Sequence, residues 1–297
     1  MLINSGNLAI LFRAFNTAFQ KGFSGTPSQW AKIATLVPSS TGTEDYGWLG
    51  SIPGMREWLG DRQIQNLALS SYSIKNKEFE STIGVKRSNV EDDQYGIYAP
   101  MFEMLGQNAS EHPDTLIFAL LAAGFATNCY DGQYFFDTDH PVIQADGSVA
   151  SVSNLQAGAG NPWFLLDTRR PLKPLIYQER KKAQFVAMDK ETDTNVFTRA
   201  EYLYGVDSRC NVGFGFWQMA FGSKDTLDAA NFEAAYDAMG AVTGDSGKKL
   251  GVKPSILVVG PSNASAGRKI IQAQLINGGD SNTNFNRVEL LECPWLA

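Results

Sequence analysis

The sequence predicts an α+β protein, and three observations carry that prediction. Tyr72 and Ile74, then Phe79, Ser81, Ile83 and Val85, alternate with polar neighbours in the period-two pattern of strands. Residues 163–221 string together strand-like runs, WFLL, LIYQE, FVAM, NVFTRAEYLYGV and GFGFWQMAF. Helical periodicity dominates the first twenty-odd residues, and helix and strand signals interleave from residue 227 on. A chain of 297 residues is long enough for two sub-domains with separate cores.

Taken in order, residues 7–23 place Leu8, Leu11, Phe12, Phe15, Ala18 and Phe19 on one helical face. Such a stripe suits either a core or docking onto another copy. Residues 23–53 are rich in Gly, Ser, Thr and Pro, and read as an extended, poorly self-packed segment with a short helical patch at 30–36. The next stretch reads as a long hairpin turning at Lys75-Asn76-Lys77, thin in apolar surface and flanked by charge. Isolated hairpins are marginal in water, so this one packs on its own core or is covered by another molecule. Ser88 and Glu91 have capping-box spacing, with Asp92 and Asp93 favourable in a first helical turn. Ile97, Met101, Met104, Leu105 and Asn108 follow a helical period. Pro100 predicts a kink or restart and Pro113 the start of a second helix over 114–127.

DGQYFFDTDHPV then reads as a loop entering a strand, and residues 145–162 as a surface loop. Asp228 suits the cap of a helix bearing Phe232, Ala235, Tyr236 and Met239. Residues 255–259 are a continuous apolar run, hence a buried strand, followed by a helix over 263–275 and a strand over 287–293. Strand, helix, strand predicts a small α/β unit.

Composition narrows the function. At 43% hydrophobic and 19% charged residues, the chain is globular, not disordered. A formal net charge of −6 gives no bulk basic footprint and argues against tight sequence-specific DNA binding. Cys129, Cys210 and Cys293 form neither a Cys-x-x-Cys motif nor an even set, so reduced, buried thiols are expected. Asp137, Asp139 and His140 could be read as a metal cluster, but their spacing fits turn chemistry as well, and no metal or cofactor is expected. Gly244–Lys249 fails as a phosphate loop, since Val242 stands where the first glycine belongs and Lys249 replaces the magnesium-binding hydroxyl. With two histidines and no catalytic motif, nothing calls for an enzyme. No leader is recognisable and the most apolar run, 116–126, is too short to span a bilayer, so no membrane partner is expected.

Several blocks, GWLG at 47–50, REWLGDR at 56–62, KNKEFESTIGVKR, EDDQYGIYAP, CYDGQYFFDTDHPV, WFLLDTRRPLKPLIYQER, YLYGVDSR, GFGFWQMAFGSK and LGVKPSILVVGP, closely resemble the Mu-type major head subunit (gpT) family of tailed phages and prophages. The resemblance covers nearly the whole chain. It implies the HK97-like major capsid fold: an N-terminal arm (1–54), an extended E-loop hairpin (55–88), a P-domain with spine helix and β-rich block (89–224), and an A-domain-like α/β unit (225–297), in an order that looks permuted. It also implies a homo-oligomeric icosahedral shell of hexamers and pentamers around double-stranded DNA, held non-specifically. That shell would belong to the virion and assemble in the bacterial cytoplasm. Because the chain runs from Met1 straight into family-like sequence, scaffold, maturation protease and portal are expected as separate proteins.

The contact candidates on this reading are Phe12, Phe15 and Phe19 of the arm, with Trp58, Arg62, Tyr72, Ile74, Lys75, Lys77, Phe79, Glu80 and Arg87 of the hairpin and its flanks. Lys75, Asn76 and Lys77 also supply the residue types of the Lys–Asn isopeptide links that some capsids of this fold form. The rival readings are an encapsulin-like compartment around a protein cargo, and a small-molecule enzyme built on the α/β unit.

Overall fold

The computed structural model describes residues 2–49, 72–92, 94–144, 146–276 and 278–296. Helix α1 (Ser5–Gly25) starts at Asn4, whose side-chain oxygen accepts the amide of Asn7 at 2.9 Å. A single turn, α2 (Trp30–Ile33), runs directly into β1 (Ala34–Pro38), and β2 (Thr43–Asp45) follows. Strands β3 (Ser73–Lys75) and β4 (Lys77–Lys86) lead to α3 (Arg87–Glu91), a tight turn at Gln94–Tyr98 and the long α4 (Ala99–Ala123). Then come β5 (His140–Ile143), β6 (Val149–Val152), β7 (Leu155–Gln156), β8 (Trp163–Leu166) and the fourteen-residue β9 (Leu175–Met188). The short helix α5 (Thr194–Arg199) joins β9 to β10 (Glu201–Phe214), which is followed by β11 (Ala220–Ser223) and α6 (Ala229–Ala241). The chain ends with β12 (Ile256–Val259), α7 (Pro261–Ile271), the small hairpin β13 (Leu275–Ile276) and β14 (Asp280–Ser281), and β15 (Glu289–Glu292).

Two sheets organise these elements. The first has the order β1-β9-β10-β4, with β1 parallel to β9 and the other pairs antiparallel. The second has the order β15-β12-β8-β11-β7. Its strand interiors are buried on both faces, which is why WFLL and ILVV read as unbroken apolar runs. One face, through Leu165, Leu257 and Val259, meets Phe232 and Met239 of α6 and Ile270 and Ile271 of α7. The other, through Phe164, Leu166 and Val258, meets Ile117, Phe118 and Leu121 of α4.

Helix α4 is therefore the element common to both layers. Its first half puts Phe102 and Leu105 into the core beneath the first sheet, together with Tyr202 and Tyr204 of β10 and Leu11, Phe15 and Phe19 of α1. Its second half is buried on the second sheet. At 1.5 Å per residue the helix is about 37 Å long, enough to reach both. Where α1 crosses it the backbones touch. A Cβ on Gly22 would stand 1.9 Å from the carbonyl of Glu103, and one on Gly106 would stand 2.0 Å from the carbonyl of Phe19.

Several expectations change. The helix predicted to stop near residue 111 and restart at Pro113 is continuous, with Pro113 in its interior. An interior proline costs about 3 kcal/mol. Flanking it, the fully buried Phe102, Ile117, Phe118 and Leu121 contribute roughly 1.5–3 kcal/mol each, which outweighs the break. Asp114 adds a clamp, because its carboxylate accepts the amides of Gln29 and Trp30 and the Ser28 hydroxyl, capping the otherwise open start of α2. Pro100 does mark a start, within the first turn of α4. The Ser88 capping box does not form; α3 is held instead by the Arg87 amide on the Ala200 carbonyl and by the Arg87–Glu91 ion pair at 3.0 Å.

Among the described residues no hairpin turns at 75–77, and residues 55–71 of the expected 55–88 hairpin lie outside the described residues. β3 pairs with β2, whereas β4 pairs along its whole length with β10. The two are consecutive strands of one extended path that changes sheets at Asn76. Segment 23–53, expected to pack poorly, is tied in over its described part by β1 on β9 and by buried Ile33, Tyr46 and Leu49. Sheet membership also crosses the expected boundaries: β8 and β11, placed with the 89–224 unit, form the middle of the sheet that contains β12 and β15.

The helix crossing generates a stability prediction. Gly106→Ala has to push apart two backbones and is expected to lose about 1–3 kcal/mol, or more, of unfolding free energy. Urea titration of the subunit measures this, and an unchanged midpoint would contradict the packing described.

Candidate functional site

The contact candidates fall into three groups. Phe15 and Phe19 are core residues of this chain: Phe15 stacks on Phe102 with ring centroids 4.2 Å apart and meets Tyr204 edge-on at 5.1 Å, while Phe19 lies 5.3 Å from Phe185. Phe12 packs on Phe185 at 5.5 Å and also lines a groove of about 780 Å³ between α1 and the end of β9, with Leu8, Ala9 and Ala187. The contact reading of Phe15 and Phe19 is thus corrected, while Phe12 stays half-buried at the groove. The periodicity was real, but the sheet it covers belongs to the same polypeptide.

Trp58 and Arg62 lie outside the described residues. Ile74 is buried among Tyr46, Leu49, Ile176 and Phe216, and half-buried Tyr72 accepts the Phe214 amide on its hydroxyl at 2.7 Å. Both face their own chain. Lys75 and Lys77 are exposed but flank a buried Asn76. The Asn76 carboxamide donates to Ser39 Oγ at 2.8 Å and to the Thr41 carbonyl at 2.9 Å, and accepts Gln178 Nε2 at 2.8 Å. A side chain so enclosed is no loop tip and is not available for an isopeptide link.

The third group remains at the surface. Glu80 is exposed on β4, Phe79 is half-buried edge-on to His112 at 4.3 Å, and Arg87 is half-buried with Glu91 at 3.0 Å and Glu191 at 3.1 Å. They lie on or just after β4, an outer strand of the first sheet.

Larger apolar surface lies outside the contact candidates. Phe197, on α5 at the connection between β9 and β10, is 90% exposed, and Val186 and Met188 stand exposed on the outer face of the nearby end of β9. Ile97, Met101 and Met104 form a second exposed stripe at helical spacing beside the buried Phe102 and Leu105. Leu275 and Ile276 form a third in the β13–β14 hairpin. The signal for Phe197 was present but misread, because NVFTR looked like the start of a strand. For α4 the chosen face mixed Met101 and Met104 with Leu105, and the structure separates them onto opposite sides. Apolar side chains that stand exposed together on one element are candidates for interaction surface, whereas scattered single ones are ordinary.

The chain matches the Mu-like prophage major head subunit gpT family over residues 8–296. It is similar to the Mu-like prophage FluMu major head subunit of Haemophilus influenzae, 44% identical over 289 residues covering 94% of both chains. It is similar as well to the major capsid protein of Escherichia phage Mu, 41% identical across the full length of both. Among solved structures it superposes on a chain from the procapsid of bacteriophage JBD30 with a TM-score of 0.88 and 48% identity, covering 99% of this chain and 100% of the other. A chain from the bacteriophage JBD30 capsid gives a TM-score of 0.78 with 34% identity and full coverage of both.

The Asn76 network has an acid-sensitive member. Glu44 accepts the amides of Ser40 and Thr41, at 2.7 and 3.0 Å, and the Ser39 hydroxyl at 2.9 Å. These bonds, the Thr41 amide foremost, pull its carboxyl from 4.5 down to about 2. A depressed carboxylate pKa stabilises the folded loop above the ordinary range, and that contribution is lost as pH falls from about 4.5 toward 2. Hydrogen exchange should therefore show the Ser40 and Thr41 amides losing protection across that window, and Glu44→Gln should show the loss at neutral pH.

Proposed function

The chain belongs to the Mu-like prophage major head subunit gpT family, and from that membership we propose how its copies meet to build a shell. Its role is structural: it is a major capsid protein with the HK97-like fold, a component of the virion, and not an enzyme. The shell is icosahedral, made of hexamers and pentamers, and encloses double-stranded DNA without reading its sequence. A net charge of −6 supports containment over adhesion, since phosphates held by a strongly cationic wall would bind it tightly and in a salt-dependent way. Assembly takes place in the host cytoplasm with a separate scaffold, maturation protease and portal.

The observation that carries the proposed contacts is apolar surface standing on rigid elements. Phe197, with Val186 and Met188, stands at one end of the first sheet; Ile97, Met101 and Met104 run along α4; Leu275 and Ile276 stand on the β13–β14 hairpin. These patches lie on different parts of one chain, as heterologous contacts require if each copy is to meet several neighbours and the rotations are to close. Phe197 is the proposed anchor, since an aromatic side chain buries about 150–250 Å² once covered. The charged outer strand, with Glu80 on β4 and Arg87 just beyond it, forms the polar rim. Repetition of modest contacts over many copies then holds the shell together.

Phe197→Ser separates this reading from an ordinary surface phenylalanine. Because the side chain is almost fully exposed, the subunit should keep its unfolding free energy to within about 0.5 kcal/mol. Electron microscopy of the purified chain is expected to show shells or capsomer rings for the wild type and free subunits for the variant. Wild-type particle yield from the variant would remove Phe197 from the interface.

A further inference from the structure

Outside the assembly surfaces, one cluster brings a thiol, a carboxylate and a buried imidazole together. His140 opens β5 and is fully buried, its ring stacked on the indole of Trp217 with centroids 4.0 Å apart and planes 8° off parallel. Its Nε2 lies 3.2 Å from Oδ1 of the buried Asn154. The orientation of that amide is fixed by its neighbours. Its nitrogen donates to the carbonyls of Phe135 at 2.8 Å, Ala220 at 3.2 Å and Trp217 at 3.4 Å, and its oxygen accepts the Asp137 amide at 2.9 Å. An oxygen facing Nε2 makes that nitrogen a donor, so what stands between Nδ1 and its neighbour is either a second proton or a bound cation.

Nδ1 faces a carboxylate. Nδ1 is 2.7 Å from Oδ2 of Asp131, and the other oxygen of Asp131 is 3.1 Å from Sγ of Cys129. A lone pair and a carboxylate oxygen repel at this distance unless a positive centre sits with them. The backbone has built the arrangement. Gly132, at φ +89°, closes a tight turn in which the Cys129 amide donates to the Gln133 carbonyl at 2.8 Å, and this sets Cys129 and Asp131 toward His140. The sulfur, carboxylate oxygen and imidazole nitrogen all lie within 4.8 Å of one another.

We propose that Cys129, Asp131 and His140 form a site for a divalent cation of the zinc class. One sulfur, one nitrogen and one oxygen donor are three of the four positions of a tetrahedral zinc site, and a thiolate with a carboxylate balances the charge of the ion. The Nε2–H donated to Asn154 is the outer contact that metal-bound histidines make, fixing ring orientation and tautomer. Coordination at about 2.0–2.3 Å draws the three donor atoms around one centre, with Asp131 swinging its carboxylate off Nδ1. Water takes the fourth position on the side of Asp131, the one ligand of the three that is not buried. With protons in place of the metal, the Cys129 thiol donates to Oδ1 of Asp131 at 3.1 Å and His140 pairs with Oδ2 at 2.7 Å; the ion takes the place of both protons. The site binds the 129–133 turn to the start of β5, beside Trp217, and so reinforces the exit of α4. Asp137 and Asp139, the partners His140 was given on sequence, are not ligands in it.

The test uses the full chain, expressed with zinc in the medium, dialysed and passed over a chelating resin. Mass spectrometry of the metal content is expected to find one zinc per chain in the wild type and none in Cys129→Ser or His140→Gln. Because a variant at a buried position can fail to fold, cobalt substitution of the wild-type chain is measured alongside, with a thiolate-to-cobalt charge-transfer band expected. Wild-type protein that holds no zinc and gives no such band overturns the proposal, as does metal retained by both variants. Nitrogen NMR showing hydrogens on both ring nitrogens of His140 in zinc-treated protein overturns it too, in favour of the proton.

Discussion

The structure depends on one helix being buried twice. The first half of α4 lies under the first sheet and the second half under the second, with Pro113 between them. A helix in that position transmits any displacement of one sheet to the other, since well-packed interiors shift as blocks more readily than they deform. The crossing with α1 tightens the arrangement, as the carbonyls of Phe19 and Glu103 occupy the space that side chains at Gly106 and Gly22 would need. Close backbone approach at two points leaves little freedom for α1 to slide or swing. The N-terminal helix is accordingly part of the body of the subunit, and the capsid assignment rests on family membership, not on an arm waiting for a neighbour.

Much of the local structure could be read from the residues. The Asp228 cap is formed, with the Asn231 amide donating to it at 2.8 Å, and the strand–helix–strand order near the C-terminus is realised as β12, α7 and β15, the two strands parallel. Long-range pairing could not be read. Nothing in ATLVP announces a parallel partner some 140 residues away, and nothing in KEFESTIGVK distinguishes a hairpin arm from an outer strand paired to β10. Period-two alternation states that a strand has two faces; it does not say which strand lies alongside.

The same limit explains the candidate surface. An amphipathic pattern identifies an apolar stripe, but a helix gripped from two sides has more than one. On α4, Phe102 and Leu105 satisfy the core while Met101 and Met104, on the neighbouring turn of the same spiral, point outward. On α1 the stripe that suggested docking was matched by Phe185, Tyr204 and Phe102 of the same chain. Phe197 was hidden by a local misreading, since six helical residues between two long strands carry too few turns for a period to emerge. Burial separates these cases because it reports the partner as well as the pattern.

The make-up of the first sheet has a consequence during synthesis. Its strands come from residues 34–38, 77–86, 175–188 and 201–214, and the strand that unites the two outermost pairs, β9 or β10, is translated after both β1 and β4. Closing contacts over such separations is slow, and the sheet cannot form until the ribosome has passed residue 214. Phe197 is presented on a rigid support only once β9 and β10 have paired around it. On a polysome, where nascent copies are crowded together, the first sheet and the Phe197 surface it supports are complete only when most of each chain has been made.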